Sequence, residues 1–295
     1  MRILITGGTG LIGQALLKNL LLNDDLTLVV LSRRPSPFTH KKIIWHQVNL
    51  CDQEILLDQL LESVDCVIHG AAQLQHQNSS DFLASAYLNF SFTTLLFKKA
   101  VEYKIEKLIY LSGFNFLRKP LSSVITETHP IGPTTPYAIS KYWGEIALFA
   151  VTKDSNTAAV SLRITSPLTC KAADLHDTVI KKWIVAAENK QPLIVFGQGS
   201  RLQDYVSTID IARAIVLAVR MDANGVFNIA SGSPISNIDV ANLIAARYGV
   251  EIEHYGTDPE DGDIWKVSIT KACEVLGYIP TWSSEDCIRK LLADS

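Results

Sequence analysis

Tyr137 and Lys141 stand four residues apart in Pro136-Tyr137-Ala138-Ile139-Ser140-Lys141. On a helix that spacing puts a phenol and an ammonium on one face, one turn apart. A lysine cation beside a phenol favours tyrosinate and brings the phenol toward working pH, where it serves as general acid and base. The same two residues on an ordinary helix surface would be a solvated pair, so their meaning depends on what the chain places beside them. The second chemically capable stretch is Thr6-Gly7-Gly8-Thr9-Gly10-Leu11-Ile12-Gly13, between the apolar run Ile3-Leu4-Ile5 and the helical spacing of Leu11, Ile12, Ala15, Leu16 and Leu20. A strand, a glycine turn and a helix N-terminus form an anion site, because unpaired N–H groups converge where no Cβ blocks a phosphate. Gly7 suits the tight turn, Gly10 the close backbone approach and Gly13 the contact of helix with strand. A plain glycine turn is the alternative, but its place directly after a strand and before a helix points to a dinucleotide.

The elements between these stretches must bring them together. Residues 26 to 31 read as a second strand, followed by Ser32, Arg33 and Arg34. In a dinucleotide fold an acid at this strand end accepts from the adenosine 2′-OH, whereas arginine pairs with a 2′-phosphate. Ser32 holds the place of the acid and two guanidinium groups follow it, which predicts NADP in preference to NAD; a solvated basic turn ahead of Pro35 and Pro37 is the plainer reading. Ile43, Ile44 and Trp45 lead into residues 46 to 52, which read as a third short strand and its exit loop. Asn49 or Asp52 there can hydrogen-bond an adenine edge and Leu50 is a further cofactor-side candidate, but Asp52 is better expected as N-cap of a helix over residues 54 to 61. A fourth strand, residues 66 to 72, ends in Gly70, Ala71 and Ala72, whose small side chains let a cofactor lie against the backbone. Residues 81 to 104 read as a long helix in which Asn89 is a polar anchor. Residues 107 to 112 read as a fifth strand ending at Ser112, followed by a loop rich in proline that forms an active-site wall.

With these motifs in place the chain resembles the extended short-chain dehydrogenase/reductases, the NAD(P)-dependent sugar-nucleotide epimerases, dehydratases and 4-ketoreductases. Further matching stretches are residues 160 to 163, 195 to 210, 225 to 232 and 272 to 280. The resemblance implies that Tyr137 is the acid/base and that Lys141 holds the nicotinamide ribose. It implies that Gly7, Gly10 and Gly13 hold the pyrophosphate, that Gly8, Thr9, Leu11 and Ile12 of the same turn contact the cofactor, and that Ala71, Ala72, Asn89 and Ile164 flank it. Arg163 would order the cofactor side or form a structural ion pair.

The departures from that family are equally specific. A catalytic Ser or Thr is expected just after Ser112, where the chain has Gly113. Such a hydroxyl bonds the reacting carbonyl, so its loss removes stabilisation of the transition state on the order of a few kcal/mol. Ser112 is carried as the catalytic hydroxyl, although a regular strand turns it to the other face; Ser122, Ser123, Thr134 and Thr135 are alternatives in the loop. The family's arginine for a substrate phosphate is Gln203, with Arg201 two residues away on the same side of a strand. Thr135, Ser166 and Arg201 are therefore the substrate-binding candidates.

Bulk properties fit this reading. A chain of 295 residues, 47% hydrophobic and 19% charged, has an ordinary core, and a formal charge of −3 offers no field for nucleic acid or an acidic membrane. No stretch is apolar and long enough to span a bilayer, and the N-terminus runs straight into a strand, so a cytoplasmic protein is expected. Cys51, Cys66, Cys170, Cys273 and Cys287 are too scattered for a metal site and read as reduced core thiols. Asp210 is expected to cap the following helix, and Trp265 and Trp282 to fill core. The fold class expected is α/β: a Rossmann-type doubly wound parallel sheet with a smaller C-terminal substrate lobe. Residues 1 to 165 and 204 to 230 would bind the cofactor, and residues 166 to 203 and 231 to 295 would cover the substrate. The function expected is hydride transfer at C4 of a nucleotide sugar by a homodimer, as a 4-epimerase or 4-ketoreductase. A redox-sensing NADP(H) binder that has lost part of its active site is the alternative, supported by Gly113 and Gln203 and opposed by the intact Tyr137 and Lys141.

Overall fold

The structure, a computed structural model, describes residues 1–49, 54–73, 82–119, 124–175 and 178–294. The Asp52 cap, Cys51, Leu50, Ser122 and Ser123 lie outside the described residues. The first part of the chain contains β1 (Arg2–Thr6), α1 (Leu11–Leu20), β2 (Thr27–Ser32), β3 (Ile43–Gln47), α2 (Glu54–Leu61), β4 (Cys66–His69), α3 (Phe82–Glu102) and β5 (Lys107–Gly113). It continues through α4 (Pro136–Thr152), β6 (Ala158–Ile164), β7 (Ser166–Leu168), α5 (Val179–Glu188), β8 (Leu193–Phe196), β9 (Leu202–Gln203), β10 (Tyr205–Ser207) and α6 (Thr208–Arg220). The last elements are β11 (Gly225–Ile229), β12 (Ile235–Ser236), α7 (Asn237–Tyr248), β13 (Ile252–Tyr255) and α8 (Ser284–Ala293).

Seven strands make one parallel sheet in the order β3-β2-β1-β4-β5-β6-β11. Helices cover both faces, which is why its central strands are continuously apolar. Ile3 and Ile5 join Leu16 and Leu17 of α1 and Ile211 and Ile215 of α6 on one face. Leu4, pointing the other way, joins Leu57 of α2, Leu96 and Phe97 of α3 and Leu148 of α4. This is the doubly wound sheet expected, and its order reverses between β1 and β4, where such sheets open a crevice at their carboxyl ends.

A second apolar cluster, built from Ile180, Trp183 and Ile184 of α5, Leu193 and Val195 of β8, Ile244 of α7 and Ile288 of α8, lies after the sixth strand of the sheet. Its strands pair locally: β7 with β10, β8 with β13 and β9 with β12. The chain returns to the main sheet through α6 and β11. Ser207, not Asp210, is the N-cap of α6, accepting the Asp210 N–H at 2.9 Å. Two good capping residues three positions apart compete here. The helix starts one turn earlier because the Asp210 carboxylate also accepts the Ser207 hydroxyl and pairs with Arg213. Among the described residues no helix is long and apolar enough to cross a membrane.

Candidate active site

A single cleft of about 1880 Å³ runs along the carboxyl ends of β1, β2, β4 and β5 and reaches the segment after β6. Drug-sized pockets reach about 1,000 Å³, so this cleft has room for a dinucleotide and a second molecule. At its floor Gly7 adopts φ +83, and a Cβ there would lie 2.7 Å from the Ala71 amide nitrogen. A Cβ on Gly13 would lie 2.1 Å from the Gly7 carbonyl oxygen, so only glycine lets α1 start this close to β1. Gly8 does not border the cleft; a Cβ there would meet Val30 at 2.7 Å in the core. No side chain caps α1 and no acid lies in its first turn. Its leading amides are left for an anion, and the cradle fits a pyrophosphate.

At the end of β2, Ser32 is buried, with Oγ 3.2 Å from Thr9 Oγ1 and accepting the Arg34 N–H. Arg33 and Arg34 are exposed on the cleft rim beside Asn49, and neither guanidinium has a carboxylate partner among the described residues. Across the switch point, Ala71 and Ala72 border the cleft. Asn89 on α3 fixes the segment behind them, accepting the Gln73 N–H at 2.6 Å and donating to the Gln73 carbonyl at 3.1 Å.

Beneath that segment lies a chain of groups that the sequence did not reveal. His69 sits fully buried between Thr6 Oγ1 at 2.6 Å and Thr93 Oγ1 at 2.8 Å. Thr6 Oγ1 also accepts the Ala71 N–H. Burial and the Lys141 ammonium push His69 down to about 3, so it is neutral and works as a strut tying β1, β4 and α3 together.

Thr135 caps α4, accepting the Ala138 N–H at 3.1 Å, and Pro136 follows in the first turn. The substrate role expected for Thr135 is not supported: its hydroxyl is committed to the helix and it does not border the cleft. Tyr137 and Lys141 both do. Lys141 Nζ donates to the Leu111 carbonyl at 2.5 Å and lies 4.3 Å from the Tyr110 ring centroid. Tyr110 fits beneath α4 because residue 144 is glycine: a Cβ there would be 2.4 Å from the ring. The mid-helix glycine three residues after the lysine was the available signal.

Burial pushes Lys141 down to about 7, opposed in part by the Glu145 carboxylate. Burial also raises the Tyr137 phenol above its ordinary value. The expected lowering of the phenol by its neighbour is therefore not found in this structure. Lys141 points its N–H at a backbone carbonyl, and its own charge is disfavoured by the same desolvation that acts on the phenol. Glu145 forms a buried, forked ion pair with Arg163 at 2.8 Å and accepts the Ser161 hydroxyl. Of the two roles open to Arg163, the structure shows the ion pair, with a further bond to the Glu127 carbonyl.

On the side facing β7, Ser166 borders the cleft and its Oγ accepts from Gln203 Nε2 at 2.5 Å. Arg201 borders it too, but its guanidinium is paired with Glu260. Ser112 also borders the cleft, but its Oγ is sealed from solvent and has no hydrogen-bond partner among the described residues. Asp204 is buried and binds the Ser231 and Gly232 amides at 2.7 and 2.9 Å, locking the β9–β10 segment to the end of β11. Burial nonetheless raises its carboxyl to about 6. Trp265 reaches the cleft wall, where its Nε1 has no partner among the described residues, whereas Trp282 packs under Lys290.

Comparison with known proteins agrees with this geometry. The chain is 26% identical to UDP-glucose 4-epimerase of Bacillus subtilis, over 100% of this chain and 96% of the relative. It is 26% identical to dTDP-4-dehydro-6-deoxyglucose reductase of Escherichia coli, over 98% of this chain and 96% of the relative. The crystal structure of UDP-glucose 4-epimerase from Thermotoga maritima with UDP-glucose has the same fold, with a TM-score of 0.87, 24% identity and coverage of 100% and 98% of the two chains. That of UDP-glucuronic acid 4-epimerase from Bacillus cereus, in complex with UDP-glucuronic acid and NAD, matches with a TM-score of 0.87 at 23% identity, covering 100% and 98%. The profile of the NAD dependent epimerase/dehydratase family matches residues 3–230. The chain belongs to the NAD-dependent epimerase/dehydratase family of enzymes.

Proposed function

We propose that the chain catalyses reversible oxidation and reduction at C4 of the hexose of a nucleotide sugar, as an epimerase-type enzyme. The observation that carries this reading is that the uncapped, glycine-lined start of α1 and the Tyr137–Lys141 face of α4 open on one cleft large enough for two ligands. A bound nicotinamide supplies the acceptor and donor of hydride. The amides of Leu11, Ile12 and Gly13 would hold the pyrophosphate, and Ala71, Ala72, Asn89 and Ile164 would flank the remainder. Lys141, anchored by the Leu111 carbonyl, has further N–H bonds for a ribose hydroxyl. Tyr137 moves the proton of the reacting sugar hydroxyl. Residues 166–203 and 231–295 cover the sugar nucleotide, with Ser166 and Arg201 on that side.

NADP is the preferred dinucleotide in this reading, supported by Arg33 and Arg34 on the cleft rim with no acid at the end of β2. The same feature favours a second reading, a net 4-ketoreductase that releases oxidised cofactor. We also infer a homodimer through α3 and α4, since Leu83, Tyr87, Ile139 and Ile146 are exposed on these two helices. A cytoplasmic setting completes the reading, supported by Cys66, Cys170, Cys273 and Cys287 standing free.

The test is turnover of a panel of UDP- and dTDP-hexoses and their 4-keto forms with each dinucleotide. Wild type should turn over at least one member, and Tyr137→Phe should lose turnover while binding the dinucleotide as before. Binding without turnover on every member would replace the enzyme by the redox-sensing binder. Arg33→Ala with Arg34→Ala should weaken NADP far more than NAD, and equal losses would refute the 2′-phosphate contact.

A further inference from the structure

β5 ends at Gly113, on the cleft and two residues beyond the carbonyl that holds Lys141. A Cβ built on Gly113 has one neighbour within 4 Å among the described residues, the Asn115 carboxamide oxygen at 3.5 Å. The space a side chain at 113 would enter is thus open, and an amide stands at its edge. Asn115 is exposed, borders the same cleft as Tyr137 and Lys141, and makes no hydrogen bond within the described residues. A half-turn about χ2 exchanges its Oδ1 and Nδ2, so an N–H donor reaches the same place.

Three candidate hydroxyls among the described residues are sealed or already hydrogen-bonded. Ser112 Oγ is sealed from solvent, Thr135 Oγ1 caps α4, and Ser166 Oγ is engaged by Gln203. We propose that the Asn115 carboxamide is a catalytic residue that hydrogen-bonds the reacting C4 oxygen of the substrate, replacing the hydroxyl that Gly113 lacks. This rests on the sugar-nucleotide reading given above. The amide N–H donates to the oxygen both while it is a carbonyl and while it is a hydroxyl, whose single hydrogen is left for Tyr137. One side chain therefore serves both directions, while Tyr137 carries the proton. A donor aimed at developing negative charge is stronger in the transition state than in the ground state.

The test compares Asn115→Ala, Asn115→Asp and the double variant Gly113→Ser with Asn115→Ala, using whichever nucleotide sugar wild type turns over. Asn115→Ala should lower kcat about 10²-fold, the loss typical of one such donor, with KM and dinucleotide affinity by calorimetry unchanged. Asn115→Asp should recover activity as pH falls, because only the protonated acid donates. The Gly113→Ser double variant should regain rate, since the added Cβ makes only an ordinary contact. Wild-type turnover with kcat unchanged in Asn115→Ala overturns this assignment alone, as does a loss confined to KM or to dinucleotide affinity. Absence of wild-type turnover on every nucleotide sugar overturns the parent reading and this assignment together.

Discussion

Replacing Lys141 with methionine should stabilise the protein at neutral and acid pH while abolishing turnover. Burial lowers the lysine from its ordinary 10.5 to about 7. That difference corresponds to about 5 kcal/mol, on the order of the penalty the fold carries when this ammonium is protonated. The sign follows from linkage: between the two values the unfolded chain binds the proton and the folded one does not, so stability rises with pH. The penalty is complete below pH 7, shrinks as pH climbs and is gone above 10.5. Against this, methionine cannot donate to the Leu111 carbonyl, and an unsatisfied buried acceptor costs about 1–3 kcal/mol. The thioether keeps contact with the Tyr110 ring. The desolvation of the charge is the larger effect, leaving a net gain of about 2 kcal/mol or more in acid. Urea unfolding of both proteins without dinucleotide, from about pH 6 to about pH 10, measures it. Lys141→Met should be the more stable at the acid end, with the difference vanishing or reversing at the alkaline end. A variant less stable at the acid end, or a difference independent of pH, would refute the reasoning.

Two further substitutions probe the scaffold. Gly13→Ala puts a Cβ against the backbone oxygen of Gly7; α1 has to shift, costing about 1–3 kcal/mol and weakening dinucleotide affinity in calorimetry, and an unchanged affinity would contradict the cradle. Arg163→Met leaves Glu145 buried without its cation and should cost about 3–5 kcal/mol, whereas Arg163→Met with Glu145→Met should recover much of that. Thermal unfolding decides, and a double variant as unstable as the single would show that the pair is not what the two charges are buried for.

Much of the scaffold was legible because its causes are local. The runs Ile3 to Ile5 and the glycine spacing of residues 7 to 13 each determine one element by its own pattern, and the expected helix over residues 54 to 61 is α2. Placement of the Tyr137 and Lys141 face followed from helical periodicity alone. What escaped depends on partners far apart in sequence. Glu145 meets Arg163 only because α4 lies across β6, and His69 finds Thr6 and Thr93 only once β1, β4 and α3 are assembled. Arg201 reads as a free phosphate ligand until the chain 59 residues later supplies Glu260. The direction of the Tyr137 and Lys141 shifts escaped for another reason. Spacing reports that the two side chains are neighbours, but desolvation depends on everything packed around them. Asn115 shows the same limit within one loop: its approach to Gly113 required the turn that follows β5.

The most direct test of the account is the distance between Tyr137 Oη and the reacting oxygen in a crystal structure with both dinucleotide and nucleotide sugar bound. In that structure the pyrophosphate should lie on the glycine turn and the nicotinamide ring beside Tyr137 and Lys141, with the C4 oxygen of the sugar within about 3 Å of Tyr137 Oη and the sugar C4 facing the nicotinamide. A phenol turned away from the nicotinamide, with no space for a sugar between the two, would contradict the account.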